Sequence, residues 1–417
     1  LKKIMALLTL AMIALMPSVC AQAIGDVNGD DSISIADVVY LFKHRNVGLD
    51  VGDLNCDNSV NVVDVVYLFK NYDTFRDPVV FAENFEMDPH WNEGYCYIVD
   101  SQDNKFVILE EGENDPEIEG TTVLNLPLTS LVTMTNAPIV ATADILNIDS
   151  CYDSIKGMPQ TYTKYSDELL QRYNEGLIIN SGTISEMDYD AVVSTDPDIV
   201  FLSYLTSQDT MEDKLNEMGI LSARCHVYLE PTFIGRTEWI KYAAAFWGDE
   251  NSEIIEEYFQ ETWQKRNELV RTTSTADDYP EVISFSLGST YMSIYGAQQY
   301  YNRMVNEFGG EFIFNDIPGT ASTRIDKEIF YERAQDSDVC IMRSFVEVTT
   351  VEELLALNPD FEDFESFKNG KFYVSCSDYY IQETKDPIGF MEDYARMIHP
   401  ELFSGGDSNL KYHYKIQ

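Results

Sequence analysis

The sequence predicts an α/β protein with two α/β lobes bridged by a long helix, preceded by a small all-α module. Three observations carry this. Short apolar strands alternate with helical stretches from residue 121 to 231 and again from 280 to 403. Between these tracts, "NSEIIEEYFQETWQKRNELVRTT" puts Ile254, Ile255, Tyr258, Phe259, Trp263, Leu269 and Val270 on one stripe at helical period. At about 1.5 Å per residue that helix spans roughly 30 Å, the width of a small domain. Ahead of both tracts, two stretches of oxygen-bearing side chains lie 27 residues apart, and each runs into the same "DVVYLFK".

The chain has 417 residues, enough for two or three domains, and its 45% apolar content can fill a full core. Twenty-eight basic against 71 acidic residues give a net charge of −43. A surface that acidic repels nucleic acid and anionic lipid, so a nucleic-acid partner is excluded. The first residues, "LKKIMALLTLAMIALMPSVCAQA", have the form of a secretory signal over residues 1–23. Lys2 and Lys3 supply the charge, residues 4–16 the apolar stretch, and Ala21-Gln22-Ala23 the cleavage site. Cys20 raises lipidation as an alternative, but Val19 before it is bulkier than that processing prefers. No later run approaches the roughly 18 apolar residues of a membrane span. The expectation is a secreted protein, extracellular or at the cell surface. Seven cysteines are scattered without a C-x-x-C spacing, and five histidines stand apart, which argues against zinc and transition-metal sites. Disulfides and buried free thiols both stay open for the cysteines.

The first repeat is "DVNGDDSISIAD", with Asp26, Asn28, Asp30, Ser34 and Asp37 at positions 1, 3, 5, 9 and 12. The second, "DLNCDNSVNVVD", has Asp53, Asn55, Asp57, Asn61 and Asp64 at the same positions. A hard cation such as calcium takes six to eight oxygens, and short Asp, Asn and Ser side chains at this spacing can wrap it. Ser32 and Ser59 fall at position 7, where a backbone carbonyl completes the set. Position 6 carries Asp31 and Asn58 rather than the usual Gly, and both tolerate left-handed backbone better than most residues. Residues 24–73 thus resemble the dockerin module, two tandem calcium loop–helix units with Asp at position 12. The resemblance implies two bound Ca2+ ions and a cohesin domain on another protein as partner. Ile35-Ala36 and Val62-Val63, just past the ninth position, are apolar where many dockerins carry Ser-Thr, so the identity of the cohesin is open.

Residues 74–94, with Pro78, read as a linker. "YCYIVDSQDNKFVILEEG" (95–112) alternates and turns at Asp103-Asn104, a β-hairpin leading into the N-terminal lobe (95–231). Strands follow at "LVTMT" (131–135), "DSIKG" (153–157), "GLIIN" (176–180), "DIVFLS" (198–203) and "RCHVYL" (224–229), with helices such as "TMEDKLNEMG" (210–219) between them. The bridging helices occupy 232–279, beginning with "RTEWIKYAAAFWG". The C-terminal lobe (280–403) has strands at "EVISFSL" (281–287), "DVCIMRS" (338–344) and "KFYVSC" (371–376) and a last helix over 387–398, leaving a tail at 404–417. The lobes echo each other: "MDYDAVVSTDPDIVFL" parallels "RIDKEIFYERAQDSDVCIM". Such a duplication forms a cleft where the strand ends of both lobes meet, the usual ligand site of open α/β sheets.

From about residue 95 to 403 the chain resembles the substrate-binding proteins of ABC importers, in the subgroup with a helical backbone between lobes. "PDIVFL" (197–202) followed by "EDKLNEMGI", then "AFWGDENSEIIEEY" and "MVNEFGGEFIF", carry the resemblance by their order and spacing. It implies a binding protein rather than an enzyme, delivering an iron chelate (siderophore or haem) or a corrinoid such as cobalamin to an ABC permease. It also implies an acidic dock on each lobe; Asp190 matches in the first, where the family prefers Glu, and Glu328 in the second. Residues just past strand ends line the expected pocket: Asn136, Tyr204, Tyr228, Tyr291, Tyr295, Arg343 and Tyr379. Tyrosine offers a flat apolar face with a polar rim, and Arg343 offers a bidentate partner for a ligand carboxylate. The competing expectation is a surface carbohydrate-active enzyme carried by the N-terminal module; against it, no G-x-S-x-G nucleophile motif and no histidine cluster occur.

Overall fold

The computed structural model describes residues 25–29, 32–54, 59–75, 78–135, 137–288 and 290–417. The chain divides into two compact units, Leu1–Arg76 and Asp77–Gln417.

In the first unit, helices α1 (Ile35–Lys43) and α2 (Val62–Phe75) follow the two loops. Ser34 caps α1 by accepting from the Ala36 amide, and Asp37 completes a capping box, so position 12 of the loop also starts the helix. The helices bury Val38 and Leu41 on one and Val65 and Leu68 on the other, at the same 27-residue offset as the loops. A short turn of helix, Leu49–Gly52, lies between them.

The second unit opens with a four-stranded sheet of β1 (Glu86–His90), β2 (Tyr95–Val99), β3 (Lys105–Leu109) and β4 (Thr122–Asn125). The β2–β3 hairpin turns at Asp103, whose φ of 61° is left-handed, as the sequence indicates. Residues 74–94 are not a free linker. They hold β1, and the segment before it is strapped to the bridging helices. The Val80, Phe81 and Ala82 amides donate to Glu238 at 2.7–2.9 Å. Those of Glu83 and Asn84 donate to Glu230 at 2.8 and 3.1 Å. Both carboxylates are fully buried, so five consecutive amides and two charges satisfy one another. A Cβ at Gly235 would stand 2.6 Å from the Phe81 carbonyl oxygen, so the strap requires glycine there.

The N-terminal lobe is a parallel sheet in the order β11-β10-β5-β6-β7. In chain order its elements are β5 (Leu131–Thr133), α3 (Ile139–Leu146), β6 (Ile155–Met158), β7 (Ile179–Asn180), the small hairpin β8–β9 (Gly182–Thr183 and Glu186–Met187), α4 (Tyr189–Ser194), β10 (Ile199–Ser203), α5 (Thr206–Glu217) and β11 (Ser222–Cys225). Two helices bridge to the next lobe, α6 (Phe233–Ala245) and α7 (Asp249–Thr273). The C-terminal sheet is mixed, ordered β15-β13-β12-β16-β17-β18 with β14 beside β12. It contains β12 (Glu281–Leu287), β13 (Tyr291–Tyr295), α8 (Tyr300–Glu307), β14 (Glu311–Phe312), β15 (Ser322–Asp326), α9 (Lys327–Ala334), β16 (Val339–Arg343), β17 (Phe372–Ser375), α10 (Tyr379–Lys385), α11 (Pro387–Ile398) and β18 (His413–Lys415). Further helices, among them Asp167–Asn174 and Val351–Leu357, complete the chain.

The echo between the lobes has a physical basis. Asp198, before β10, accepts the Thr129 and Ser130 amides at 2.7 and 2.9 Å and so pins the start of β5. Asp338, before β16, accepts the Glu281 amide at 2.9 Å and pins the start of β12. In each lobe the acidic residue closing the turn after a helix clips neighbouring parallel strands into register.

Some boundaries differ from the sequence reading. The run read as a strand over 224–229 ends at Cys225, and residues 227–229 turn as a 3-10 helix. The stretch at 153–157 begins as helix, and that at 176–180 pairs only over Ile179–Asn180. Short buried runs lack a period that separates strand from turn. The tail at 404–417 adds β18 to the sheet. All thirteen residues of α6 are buried. Phe233 lies in the C-terminal core, whereas Trp239, Tyr242 and Phe246 lie in the N-terminal one, so α6 is the element shared by both lobes. Helix α7 lies outside it and is amphipathic as expected, burying Ile255, Phe259, Trp263 and Leu269, although Ile254 faces solvent. Cys96, Cys151, Cys225, Cys340 and Cys376 are all free and buried, which settles those five as thiols; Cys20 and Cys56 lie outside the described residues.

Candidate functional site

The N-terminal sheet reverses its order at β5, with β6 and β7 to one side and β10 and β11 to the other. Ligands of open α/β sheets sit beyond the strand ends at such a switch point. Tyr204 follows β10 there and is 39% exposed. Its ring stands 5.9 Å from that of Tyr228, one turn past β11. Partial burial, then Tyr295 of the other lobe, raise the Tyr204 phenol above its ordinary range. Burial pushes Tyr228 up to about 12. Both phenols therefore remain protonated hydrogen-bond donors.

On the opposite side, Arg343 ends β16. Its guanidinium lies 4.2 Å from the Tyr295 ring centre and 5.0 Å from that of Tyr301. The Tyr379 ring is 6.3 Å from Tyr301 and 5.6 Å from Phe345. Phe345 is 68% exposed, so it and Tyr204 each present an accessible ring beside the partly buried Tyr228 and Tyr295 and the buried Tyr379 and Arg343.

Sequence reasoning missed the residues behind this cluster. Arg236 of α6 stacks under Tyr228, its guanidinium 4.3 Å from the ring centre, and pairs with Glu383 of α10 at 2.6 Å. Glu383 also accepts the Tyr300 hydroxyl at 3.1 Å and that of Tyr301. Burial raises the Glu383 carboxyl, while Arg236 and the two phenols oppose that rise. No local signal singled out Arg236, because the same buried helix also carries Glu238 and Lys241. The doublets Tyr300-Tyr301 and Tyr379-Tyr380 were the signal for the aromatic cluster.

Of the residues expected to line the pocket, Tyr204, Tyr228, Tyr295, Arg343 and Tyr379 come together in this cluster. Tyr291 does not join them. It lies under Arg324, 4.6 Å from ring centre to guanidinium, because four residues along β13 separate it from Tyr295 by about 13 Å. Asn136 lies outside the described residues. Asp190 and Glu328 are exposed in the first turns of α4 and α9, the equivalent helices of the two lobes. Exposed Val193 and Ile329 accompany them on those helices.

In the first unit, Asp26, Asp37, Asp53 and Asp64 are at most 2% exposed. Asp37 accepts the Val27 and Ser34 amides at 2.9 and 2.8 Å. Asp64 accepts those of Leu54 and Asn61 at 3.0 and 2.8 Å, in the same arrangement. Among the described residues the Asn28 Oδ1 is buried without a partner. Buried carboxylates and an orphaned amide oxygen fit a hard, oxygen-seeking ion. Ser32, Ser34, Ser59 and Asn61 fall on the same loops; Asp30, Asn55 and Asp57 lie outside the described residues. Among the described residues no group of three or more His, Cys, Asp or Glu is gathered as a metal cluster. The loop helices leave Ile35, Val39 and Phe42 exposed on α1, and Val62, Val66 and Phe69 exposed on α2.

The sequence profile of the periplasmic binding protein family matches residues 160–379, just over half of the chain. The chain belongs to the periplasmic binding protein family. Its relatives include an uncharacterized lipoprotein of Methanocaldococcus jannaschii, 42% identical over 343 residues, which cover 81% of this chain and 87% of the relative. Among solved structures, the TroA-like periplasmic binding protein FepB from Veillonella parvula has a TM-score of 0.52 at 14% identity, covering 70% of this chain and 95% of its own. The petrobactin-binding protein YclQ from Bacillus subtilis has a TM-score of 0.51 at 14% identity, covering 64% of this chain and 92% of its own. These likenesses show the fold. The family and these structural neighbours are binding proteins.

Proposed function

We propose that this periplasmic binding protein captures an iron chelate (siderophore or haem) or a corrinoid in the cleft between its lobes and delivers it to an ABC permease. The observation that carries this reading is the cluster of Tyr228, Tyr295, Tyr379 and Arg343 beside the exposed rings of Tyr204 and Phe345. Flat aromatic faces suit a macrocycle or a chelate, and hydroxyls at their edges suit its oxygens. The petrobactin-binding neighbour agrees with this ligand class. Asp190 and Glu328 serve as one acidic dock per lobe for permease arginines, each beside an exposed aliphatic residue.

The first unit acts in this proposal as a calcium-loaded dockerin that holds the protein at the cell surface through a cohesin. Each loop supplies the donors: Asp26, Asn28, Asp30, Ser32, Ser34 and Asp37 in one, and Asp53, Asn55, Asp57, Ser59, Asn61 and Asp64 in the other. The matched exposed faces of α1 and α2 support a protein partner, because six large apolar side chains stand in solvent on two short helices. The relative's name as a lipoprotein makes a lipid on Cys20 the competing anchor, and is consistent with export.

Tryptophan-fluorescence titration with ferric siderophores, haem and cobamides tests the carrier. Saturable binding of at least one is expected, and none would contradict it. Surface retention in the presence of EGTA tests the tether. Release with ligand affinity intact is expected, whereas retention would favour lipid.

A further inference from the structure

We infer that the cleft selects for charge: it takes an anionic chelate, with Arg343 as the residue that reads the negative group and Glu383 as the residue that withholds Arg236 from the same role. The inference rests on the reading of the cleft as a ligand site, and narrows it to one chemical class.

Four arginines of the described residues are buried: Arg172, Arg224, Arg236 and Arg343. In a chain with 71 acidic side chains, three of them have carboxylate partners. Arg172 meets Asp149, Asp153 and Glu168; Arg224 meets Asp209 and Glu212; Arg236 meets Glu383. Arg343 is 3% exposed, and among the described residues no carboxylate lies within ion-pair distance of it. Its Nε has no hydrogen-bond partner among the described residues. What surrounds it is aromatic: Tyr295 and Tyr301 at ring-stacking distance.

A buried guanidinium with no carboxylate in contact, Glu383 acting on it only through space, carries a desolvation penalty that ring faces only partly offset. Such a charge is kept where a partner arrives from outside. Arg236 is different. Glu383 neutralises it, Tyr300 and Tyr301 donate to the same carboxylate, and it also contacts the Tyr380 carbonyl, Thr384 and the rings of Tyr228 and Tyr300. Arg236, Glu383 and Arg343 together leave one positive charge in the cleft, in a protein whose net charge is −43. In a poorly hydrated site that charge favours a carboxylate, catecholate or similar anionic oxygen group. It leaves a neutral ligand without a counterpart for Arg343 and repels a cationic one.

The test is isothermal titration of the full chain with haemin, a ferric tris-catecholate, a neutral ferric tris-hydroxamate and cyanocobalamin, on wild type, Arg343→Gln and Arg343→Lys. The expected result is tight binding confined to the anionic ligands. Arg343→Gln should lower that affinity by on the order of 100-fold, and Arg343→Lys should restore part of it. A thermal melt of each variant reports its folding. If Arg343→Gln does not fold, wild-type selectivity and Arg343→Lys still decide. Neutral chelates bound as tightly as anionic ones, or an equal loss for all ligands in Arg343→Gln, would overturn the charge selection while the carrier reading stands. Failure of wild type to bind any of the four would remove both.

Discussion

His226 follows β11 with its ring buried and Nε2 without a partner among the described residues. Burial first, then the positive charge of Arg224, lower its pKa from 6.5 to about 4. The unfolded chain therefore binds this proton more readily than the folded one between those two values. The resulting stability is fully present above about 6.5 and is lost as pH falls toward 4. A loss of about 2–3 kcal/mol over that window is expected by denaturant titration, and His226→Gln should flatten it. Asp386 and Asp407, both held below the usual carboxylate range, contribute in a separate, more acid window. At this scale the sequence was legible where a residue stood at a strand end, as Tyr204, Arg343 and Tyr379 do. It was not legible where partnership decides, since nothing in "RTEWIKYAAAFWG" says that Arg236 will meet Glu383 from a helix 147 residues on. Tyr291 shows the same limit: it shares a strand with Tyr295 but not its neighbours.

Among elements, the strap over residues 78–84 and helix α6 depend on each other. Lys241 donates to the Pro78 carbonyl at 3.0 Å and pairs with Glu256 of α7 at 2.8 Å, while the Phe81 ring packs 4.5 Å from that of Trp263. The strap thus joins both bridging helices. Glu238→Ala leaves Lys241 short of a partner and three amides unsatisfied, and should cost about 3 kcal/mol in urea unfolding. Gly235→Ala, which drives a methyl into the Phe81 carbonyl, should cost about 1–3 kcal/mol. A loss below 0.5 kcal/mol for both would mean the strap is not part of the core. Periodicity revealed α7 and the last helix, Pro387–Ile398, at their observed positions. It concealed α6 as the shared element, because a helix buried on every face has no stripe to read. The strap was concealed as well: its order comes from carboxylates about 150 residues away, and Pro78 was its one local mark.

The whole second unit behaves as a braced body. Helix α10 belongs to the C-terminal lobe by sequence, yet Ile381 is buried in the N-terminal core. Lys385 pairs with Asp144 of α3 and donates to the Tyr165 carbonyl at 3.2 Å, while Tyr258 of α7 donates to the Lys385 carbonyl at 3.2 Å. Opening the cleft widely would break these contacts, so ligand binding should change the radius of gyration little in solution scattering. The first unit is a separate compact unit. If the loops hold calcium as proposed, removing it should abolish the melting transition of this unit and leave that of the second unit in place, and Asp37→Ala should reproduce this by calorimetry. The duplication and the two loops were visible in sequence because each repeats. The brace was not, since it arises from contacts between repeats. The most direct measurement is titration of haemin and a ferric tris-catecholate into wild type and into Tyr204→Ala/Tyr295→Ala, which removes one ring from each lobe. Wild type should bind at least one with 1:1 stoichiometry, and the double variant at least 10-fold more weakly with its melting temperature preserved. Equal affinity in the two proteins would place the ligand elsewhere and contradict the cleft as its site.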